Sequence, residues 1–229
     1  MLEVLDIGNT FTRIALWNGG GFVDLRRLPT EKLNSLPVVD YPRVAACVYP
    51  AAKEHLSGVS VDFISALNHH SKVDFSPVDR TTLGADRVAN AVAAAEFYKL
   101  PAAVIDCGTA VTMEVIDEKY RFTGGAIAPG RKLLRKALAC GTAQLPEIPL
   151  SENIPENIGR NTFEAIHFGV DSGIIGMVRE WLSVLREKYP ELTVILTGGD
   201  GRYFAQSFPE AVLADEFFTL HGIRLAGGY

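Results

Sequence analysis

Two short stretches of this 229-residue chain carry the same acid and the same glycine at the same spacing. Asp6-Ile7-Gly8-Asn9-Thr10 follows an apolar run, and Asp106-Cys107-Gly108-Thr109-Ala110 follows another, one hundred positions later. A strand that stops at a glycine turn presents consecutive backbone N–H groups with no side chain over them. Asn9, Thr10 and Thr109 add amide and hydroxyl donors. A carboxylate at the strand end can hold a hydrated Mg²⁺ that also takes phosphate oxygens. One Asp-x-Gly is equally an ordinary turn closed by an aspartate side chain. Two of them at equivalent strand ends point to a polyphosphate gripped from both sides.

Two further stretches carry chemistry. Gly84-Ala85-Asp86-Arg87 opens an alanine-rich run. Asp86 at a helix start is favoured in its ionised form and can serve as a base, or simply as a cap. Arg87 has the planar fork that matches a carboxylate, or it forms a surface salt bridge. Thr197-Gly198-Gly199-Asp200-Gly201 follows an apolar run, and its glycines would let a flat nucleoside approach the backbone.

The elements that must position these residues follow from periodicity. Strands are expected over residues 2–7, 12–17, 22–28, 43–49 and 61–66, separated by glycine- and proline-containing turns. From Gly84 a helical face is formed by Val88, Val92, Ala95 and Tyr98, with Pro101 as its stop. The stretches "AAVIDCG", "VTMEVI" and "YRFTGGAIAPG" read as strands again, followed by a helix over 131–140 that Gly141 ends. Residues 162–189 read as a long amphipathic helical region, with a break expected between Gly169 and Gly176. A buried strand from residue 193 runs into the glycine loop, and a last helix covers 217–226. The order repeats: three strands and a mixed α/β part, twice.

The two opening stretches overlay without a gap. Val4, Asp6, Gly8 and Thr12 match Val104, Asp106, Gly108 and Thr112, which is four identities in nine positions. Leu5 falls on Ile105 and Leu16 on Ile116. An internal duplication follows, with a boundary near Leu100. The expected fold is α/β, with an N-terminal half at 1–100 and a C-terminal half at 101–229.

Composition removes several function classes. Apolar residues make up 48% and charged residues 21%, ordinary for a globular chain. A net charge of −5 and the lack of any Lys/Arg run argue against nucleic acid. No window is apolar enough to span a membrane. Cys47, Cys107 and Cys140 lie too far apart for a zinc finger and read as reduced thiols of a cytoplasmic protein. His55, His69, His70, His167 and His221 are scattered, so no zinc site is expected.

An Asp-x-Gly-x-Thr hairpin repeated in a second half and followed by a Gly-Gly loop resembles the actin, Hsp70 and sugar-kinase superfamily. Within it, the chain is similar to the type III pantothenate kinases. Their motifs occur in order: "DIGNT" (6–10), "GADR" (84–87), "DCGTA" (106–110), "GGAIAPG" (124–130), "IGRNTFEAI" (158–166) and "TGGDG" (197–201). The resemblance implies two ribonuclease-H-like domains, mixed sheets flanked by helices, with ATP between them. It implies ATP-dependent phosphorylation of the primary hydroxyl of pantothenate, the first step of coenzyme A biosynthesis. It assigns Asp86 as the base and Arg87 to the carboxylate end of pantothenate, with Gly84 and Ala85 leaving room for the substrate. Asp6 would orient Mg²⁺-bound phosphates, through water, in a loop with Ile7, Gly8, Asn9, Thr10, Phe11, Thr12 and Arg13. Arg13 stands where many members carry lysine, which keeps the charge but changes the geometry.

The resemblance further gives Asp106 a monovalent cation, K⁺ or NH₄⁺, Thr109 a nucleotide contact and Thr162 a substrate contact. Without it, Thr162 reads as the N-cap of the following helix. A homodimer is implied, with the apolar positions Ile174, Ile175, Met177, Val178, Trp181, Leu182 and Leu185 in the half that builds the interface. One departure concerns the substrate segment: "VDFSPVDRTTLGADR" lacks the family's usual tyrosine before the motif, leaving Phe75 or a neighbour in its place, with Pro77 shifted. Two other readings compete. A non-catalytic ATP-binding regulator need not keep Asp6, Asp86 and Asp106 together. An actin- or Hsp70-like ATPase would need inserted subdomains that this length lacks, and would not carry "GADR".

Overall fold

Leu2, Val4, Leu5 and Ile7 are all buried along the first strand, β1 (Leu2–Ile7). Glu3 between them is buried too and ion-paired with Arg43, so side chains on both faces of the strand are covered. In the computed structural model, which describes residues 1–229, β1 is the centre of a five-stranded mixed sheet. Its neighbours are β2 (Phe11–Trp17), antiparallel, and β4 (Arg43–Cys47), parallel. β3 (Phe22–Pro29) lies antiparallel outside β2, and β5 (Asp62–Phe63) parallel outside β4. The order is β3-β2-β1-β4-β5.

The second half repeats this plan. Its strands are β6 (Ala102–Cys107), β7 (Ala110–Ile116), β8 (Phe122–Pro129), β9 (Thr193–Thr197) and β10 (Val212–Leu213). They form a sheet in the order β10-β9-β6-β7-β8. Counted within each half, both sheets run third, second, first, fourth, fifth. The duplication read from a short sequence match is therefore a duplication of topology. The ungapped match ends at the turn, however. Three residues join β1 to β2, and two join β6 to β7. Thr12, second in its strand and buried, is thus equivalent to buried Val111 and not to Thr112. A one-residue slip sends a strand side chain to the other face.

Six helices complete the chain: α1 (Pro50–His55), α2 (Ala85–Phe97), α3 (Arg131–Gly141), α4 (Thr162–Lys188), α5 (Gly201–Ala205) and α6 (Phe218–Ala226). α4 is unbroken, contrary to the expected interruption. Each interior glycine costs a helix about 1 kcal/mol relative to alanine. Burial of Ile174, Ile175, Val178 and Leu182 on one face gives about 1.5–3 kcal/mol per side chain and outweighs Gly169, Gly173 and Gly176. The fifth strand of the first sheet is only two residues long where six were expected, because it pairs with β4 at only two positions.

The chain divides into two compact units. One comprises Met1–Ala102, Glu114–Gly124 and Asp215–Tyr229, so α6 packs with α2 rather than with the elements that precede it. The other comprises Ala103–Met113 and Gly125–Ala214. In this second unit Ile148, Ile166 and Val170 form a small core with Leu134, Leu138 and Leu145 between α3 and α4.

Candidate active site

The first Asp-x-Gly turn is closed by Gly8 N–H donating to the Phe11 carbonyl at 3.1 Å. A β-carbon on Gly8 would lie 3.0 Å from that carbonyl oxygen, so the turn is tight enough to favour glycine. Asn9, Thr10 and Phe11 are exposed at its tip, and the Arg27 guanidinium covers the Phe11 ring at 3.8 Å. Ile7 and Thr12 turn inward and are fully buried. The Thr12 hydroxyl shares a 3.0 Å hydrogen bond with Thr30, whose hydroxyl donates to the Gly8 carbonyl at 2.8 Å. Thr12 therefore braces the turn from behind. Asp6 sits opposite Arg13 in the antiparallel register. Arg13 donates to Asp6 Oδ2 twice, from Nη2 at 2.7 Å and Nε at 3.1 Å, and from Nη1 to the Glu216 carbonyl at 3.1 Å.

The second turn is built more tightly. Gly108 N–H donates to the Ala110 carbonyl at 3.0 Å, and Gly130 N–H to the Thr109 carbonyl at 2.9 Å. Gly130, just before α3, packs so close that a β-carbon would lie 2.3 Å from the Gly108 oxygen. The loop Thr197–Gly201 closes over the same turn. Gly198 has φ +86°, and a β-carbon there would meet Asp106 Oδ1 at 2.4 Å. Asp200 N–H donates to the Cys107 carbonyl at 2.8 Å. Half-buried Asp106, exposed Thr109 and the glycine loop are thus brought together.

Asp86 is the second residue of α2 and half-buried. It is not the cap: Gly84 holds that position, with no side-chain cap hydrogen bond. Asp86 Oδ1 accepts from the Arg87 N–H at 2.8 Å. A β-carbon on Gly84 would lie 2.5 Å from Asp86 Oδ1, so glycine here makes room for the carboxylate, while Ala85 faces the core. Arg87 Nε donates to Glu114 Oε1 at 2.8 Å, and Glu114 has no exposed surface. Phe75 is 2% exposed and packs on His69 and Phe122, with ring centroids 5.0 and 5.5 Å away, so it fills the core. Thr162 is exposed and is not the cap of α4. Asn161 takes that role, its side chain accepting from Glu164 N–H at 3.0 Å, while Glu164 accepts from Arg160 N–H at 2.8 Å. A carboxylate three residues after the cap is the signal for such a start, and in "RNTFE" it selects Asn161, although the carboxylate here reaches the N–H of the residue before the cap.

Two groups of side chains were missed in the sequence. Glu114 is one. Its signal is a carboxylate inside the otherwise apolar "VTMEVI". The other is a buried network of Arg131, Arg135, Asp171, Asp200 and Tyr203 beside the glycine loop. Burial pushes the Asp200 carboxyl above its ordinary range, with Arg131 pulling it back. Burial and Asp171 push the Tyr203 hydroxyl up to about 12.

No three His, Cys, Asp or Glu side chains come together as a metal-binding group. A cation at either turn must take most of its ligands from phosphate, backbone carbonyls and water. That donor set suits a hard cation arriving with a polyphosphate and keeping several waters. No helix is long and apolar enough to cross a membrane.

A solved structure named for the Baf family of transcriptional activators, from Campylobacter jejuni, superposes with a TM-score of 0.69 at 20% identity, over 97% of this chain and 95% of the other. The activator of 2-hydroxyisocaproyl-CoA dehydratase from Clostridium difficile, with bound ADPNP, superposes with a TM-score of 0.54 at 15% identity, over 98% and 92%. These likenesses establish the duplicated ribonuclease-H-like fold of the actin-like ATPases and sugar kinases. A type III pantothenate kinase of Phocaeicola vulgatus is 33% identical over 96% of this chain and 95% of its own length. The family profile described as type III pantothenate kinase matches residues 36–183, a span that holds Asp86, the second Asp-x-Gly turn and Thr162. With most of its length matched by the family profile and by relatives above 30% identity, this chain belongs to the type III pantothenate kinase family.

Proposed function

We propose that the chain transfers the γ-phosphoryl group of ATP to the primary hydroxyl of pantothenate, giving 4′-phosphopantothenate for coenzyme A biosynthesis. Supporting it above all is the full-length likeness to enzymes of that name, together with an acid and an arginine adjacent at the start of α2. Asp86 takes the hydroxyl proton as the oxygen attacks the γ-phosphorus, and ADP leaves in line. Arg87, oriented by Glu114, pairs with the pantothenate carboxylate. Thr162 offers a hydroxyl to the substrate. Asp6 and the loop Gly8–Arg13 face the phosphates, with Thr12 bracing from the core. Thr109 contacts the nucleotide.

A kinase using ATP implies a divalent metal, and a bound Mg²⁺ would supply neutralisation of the charge on the phosphates. Asp6 would hold it through water, and Asp106 a K⁺ or NH₄⁺ ion. The halves 1–100 and 101–229 are the two copies of the duplication. The protein works in the cytoplasm, with no nucleic-acid or membrane partner. Exposed Ile158 and Phe163 beside Thr162 support a homodimer through this face. A light-scattering mass of one chain would remove the dimer.

The regulatory reading is not favoured, since full-length relatives are named as kinases. The test is coupled ADP release with a panel of acceptor alcohols, with and without K⁺ or NH₄⁺. The expected result is pantothenate-dependent turnover that needs Mg²⁺ and the monovalent cation. No turnover at millimolar ATP with all three present would falsify the proposal.

A further inference from the structure

Arg131 and Arg135, one turn apart on α3, are 2% and 1% exposed. Burying a guanidinium costs several kcal/mol unless charge and hydrogen bonds compensate. Asp171, fully buried within α4, supplies the first compensation. Arg131 Nε donates to its Oδ1 at 2.8 Å and Arg135 Nη2 to its Oδ2 at 2.6 Å. His167 Nε2 lies 2.9 Å from the same Oδ2, at ion-pair distance but without hydrogen-bond geometry. The carbonyls of Ser151 and Pro149 accept from Arg131 and Arg135. Two cations against one anion still leave positive charge in the interior. The second carboxylate is Asp200, whose Oδ1 lies 3.5 Å from Arg131 Nη1. The Tyr203 ring completes the enclosure, its centroid 3.4 Å from the Arg131 guanidinium carbon.

Arg131 is held at both ends. Its backbone follows Gly130, which is locked onto the second Asp-x-Gly turn through Thr109 and Gly108. Its side chain reaches Asp200 in the loop that covers Asp106. An ordinary surface pair could swing away from this loop. A guanidinium fixed by a buried acid cannot.

We infer that Arg131, anchored by Asp171, is a positioning residue that fixes the Thr197–Gly201 loop against the Asp106 turn through Asp200, and so sets affinity for ATP. This rests on the nucleotide-binding reading of that loop. The chemistry at Asp86 and the hold on pantothenate are not touched by it.

The experiment measures equilibrium binding of ATP, without pantothenate, to the full chain and to Arg131→Met, Asp200→Ala and the double variant. Steady-state constants and thermal melts accompany it. The expected result is ATP Kd and KM raised about tenfold, on the scale of partners that orient binding groups, with pantothenate KM within about twofold. The double variant should lose no more than the larger single loss, because the two residues act as one unit. Arg131→Lys should recover part of the affinity. A folded Arg131→Met protein with wild-type ATP affinity and only a lower melting temperature overturns the inference, as do multiplicative losses in the double variant. If Arg131→Met does not fold, Arg131→Gln takes its place in the cycle with the same criteria. Wild-type protein that binds ATP but leaves pantothenate untouched defeats the kinase reading and leaves this test intact. Wild-type protein that binds no ATP overturns both.

Discussion

Asp86→Asn loses turnover by about 10²–10⁴-fold, the scale of general-base catalysis, while its fold and melting temperature stay close to wild type. The two halves of this expectation have separate causes. A carboxylate accepts the proton of the attacking hydroxyl, and an amide of nearly the same shape does not. The fold survives because Asp86 does not cap α2. Gly84 is the N-cap, and the acceptance by Asp86 Oδ1 from Arg87 N–H is one that an amide oxygen can replace. Coupled ADP release and circular dichroism melts check both halves. A folded variant with full activity removes Asp86 as the base. A variant that fails to fold means that the helix start depends on the charge, against the capping geometry.

Much of this site was legible in the sequence because its parts are local. The acids Asp6 and Asp106 stand at strand ends, their glycines make the turns, and Asp86 opens a helix, all within a few residues of the signals that mark them. The repetition of elements could be suspected from a short repeat, and the order within each sheet could not. What escaped needed contacts between distant residues. The repeat itself slips by one at the turn, so Thr12 braces Gly8 from the core while Thr112 lies on the other face. Arginines are seldom buried unless paired, so nothing in "RKLLRKAL" betrays that Arg131 and Arg135 share an aspartate from a helix about forty residues on. Place in the chain offers Phe75 or a neighbour for the missing tyrosine, and packing puts Phe75 in the core. Most of all, the last helix belongs to the second half by its place in the chain, whereas it packs within the first unit.

That packing leads to a substitution with a large cost. α6 touches the backbone of α2 directly at Gly222, where a β-carbon would stand 1.9 Å from the Ala89 carbonyl oxygen and 2.6 Å from its carbon. The alanine face of α2 permits this approach, and a buried hydrogen bond of 2.9 Å from the Thr219 hydroxyl to Asn90 Oδ1 fixes the register beside it. Backbone on both sides cannot be relieved by a rotamer change, so Gly222→Ala must part the helices. The expected loss is about 3 kcal/mol, at the upper end of overpacking costs, or roughly 6–12 °C in Tm for a chain of this size. The same substitution at Gly173, on the open face of α4 where a β-carbon meets nothing within 4 Å, should instead stabilise by up to about 1 kcal/mol. The two signs separate packing from helix propensity, which alone would favour alanine at both sites. Activity should follow stability in an unequal way. α2 carries Asp86 at its first turn, and misplacing a reacting group by about 1 Å can cost about 10²-fold. Gly222→Ala should therefore lower kcat well below its folded fraction. A variant that melts like wild type, or whose loss of rate equals its loss of folded protein, would show that α6 does not set the position of the helix that carries the base.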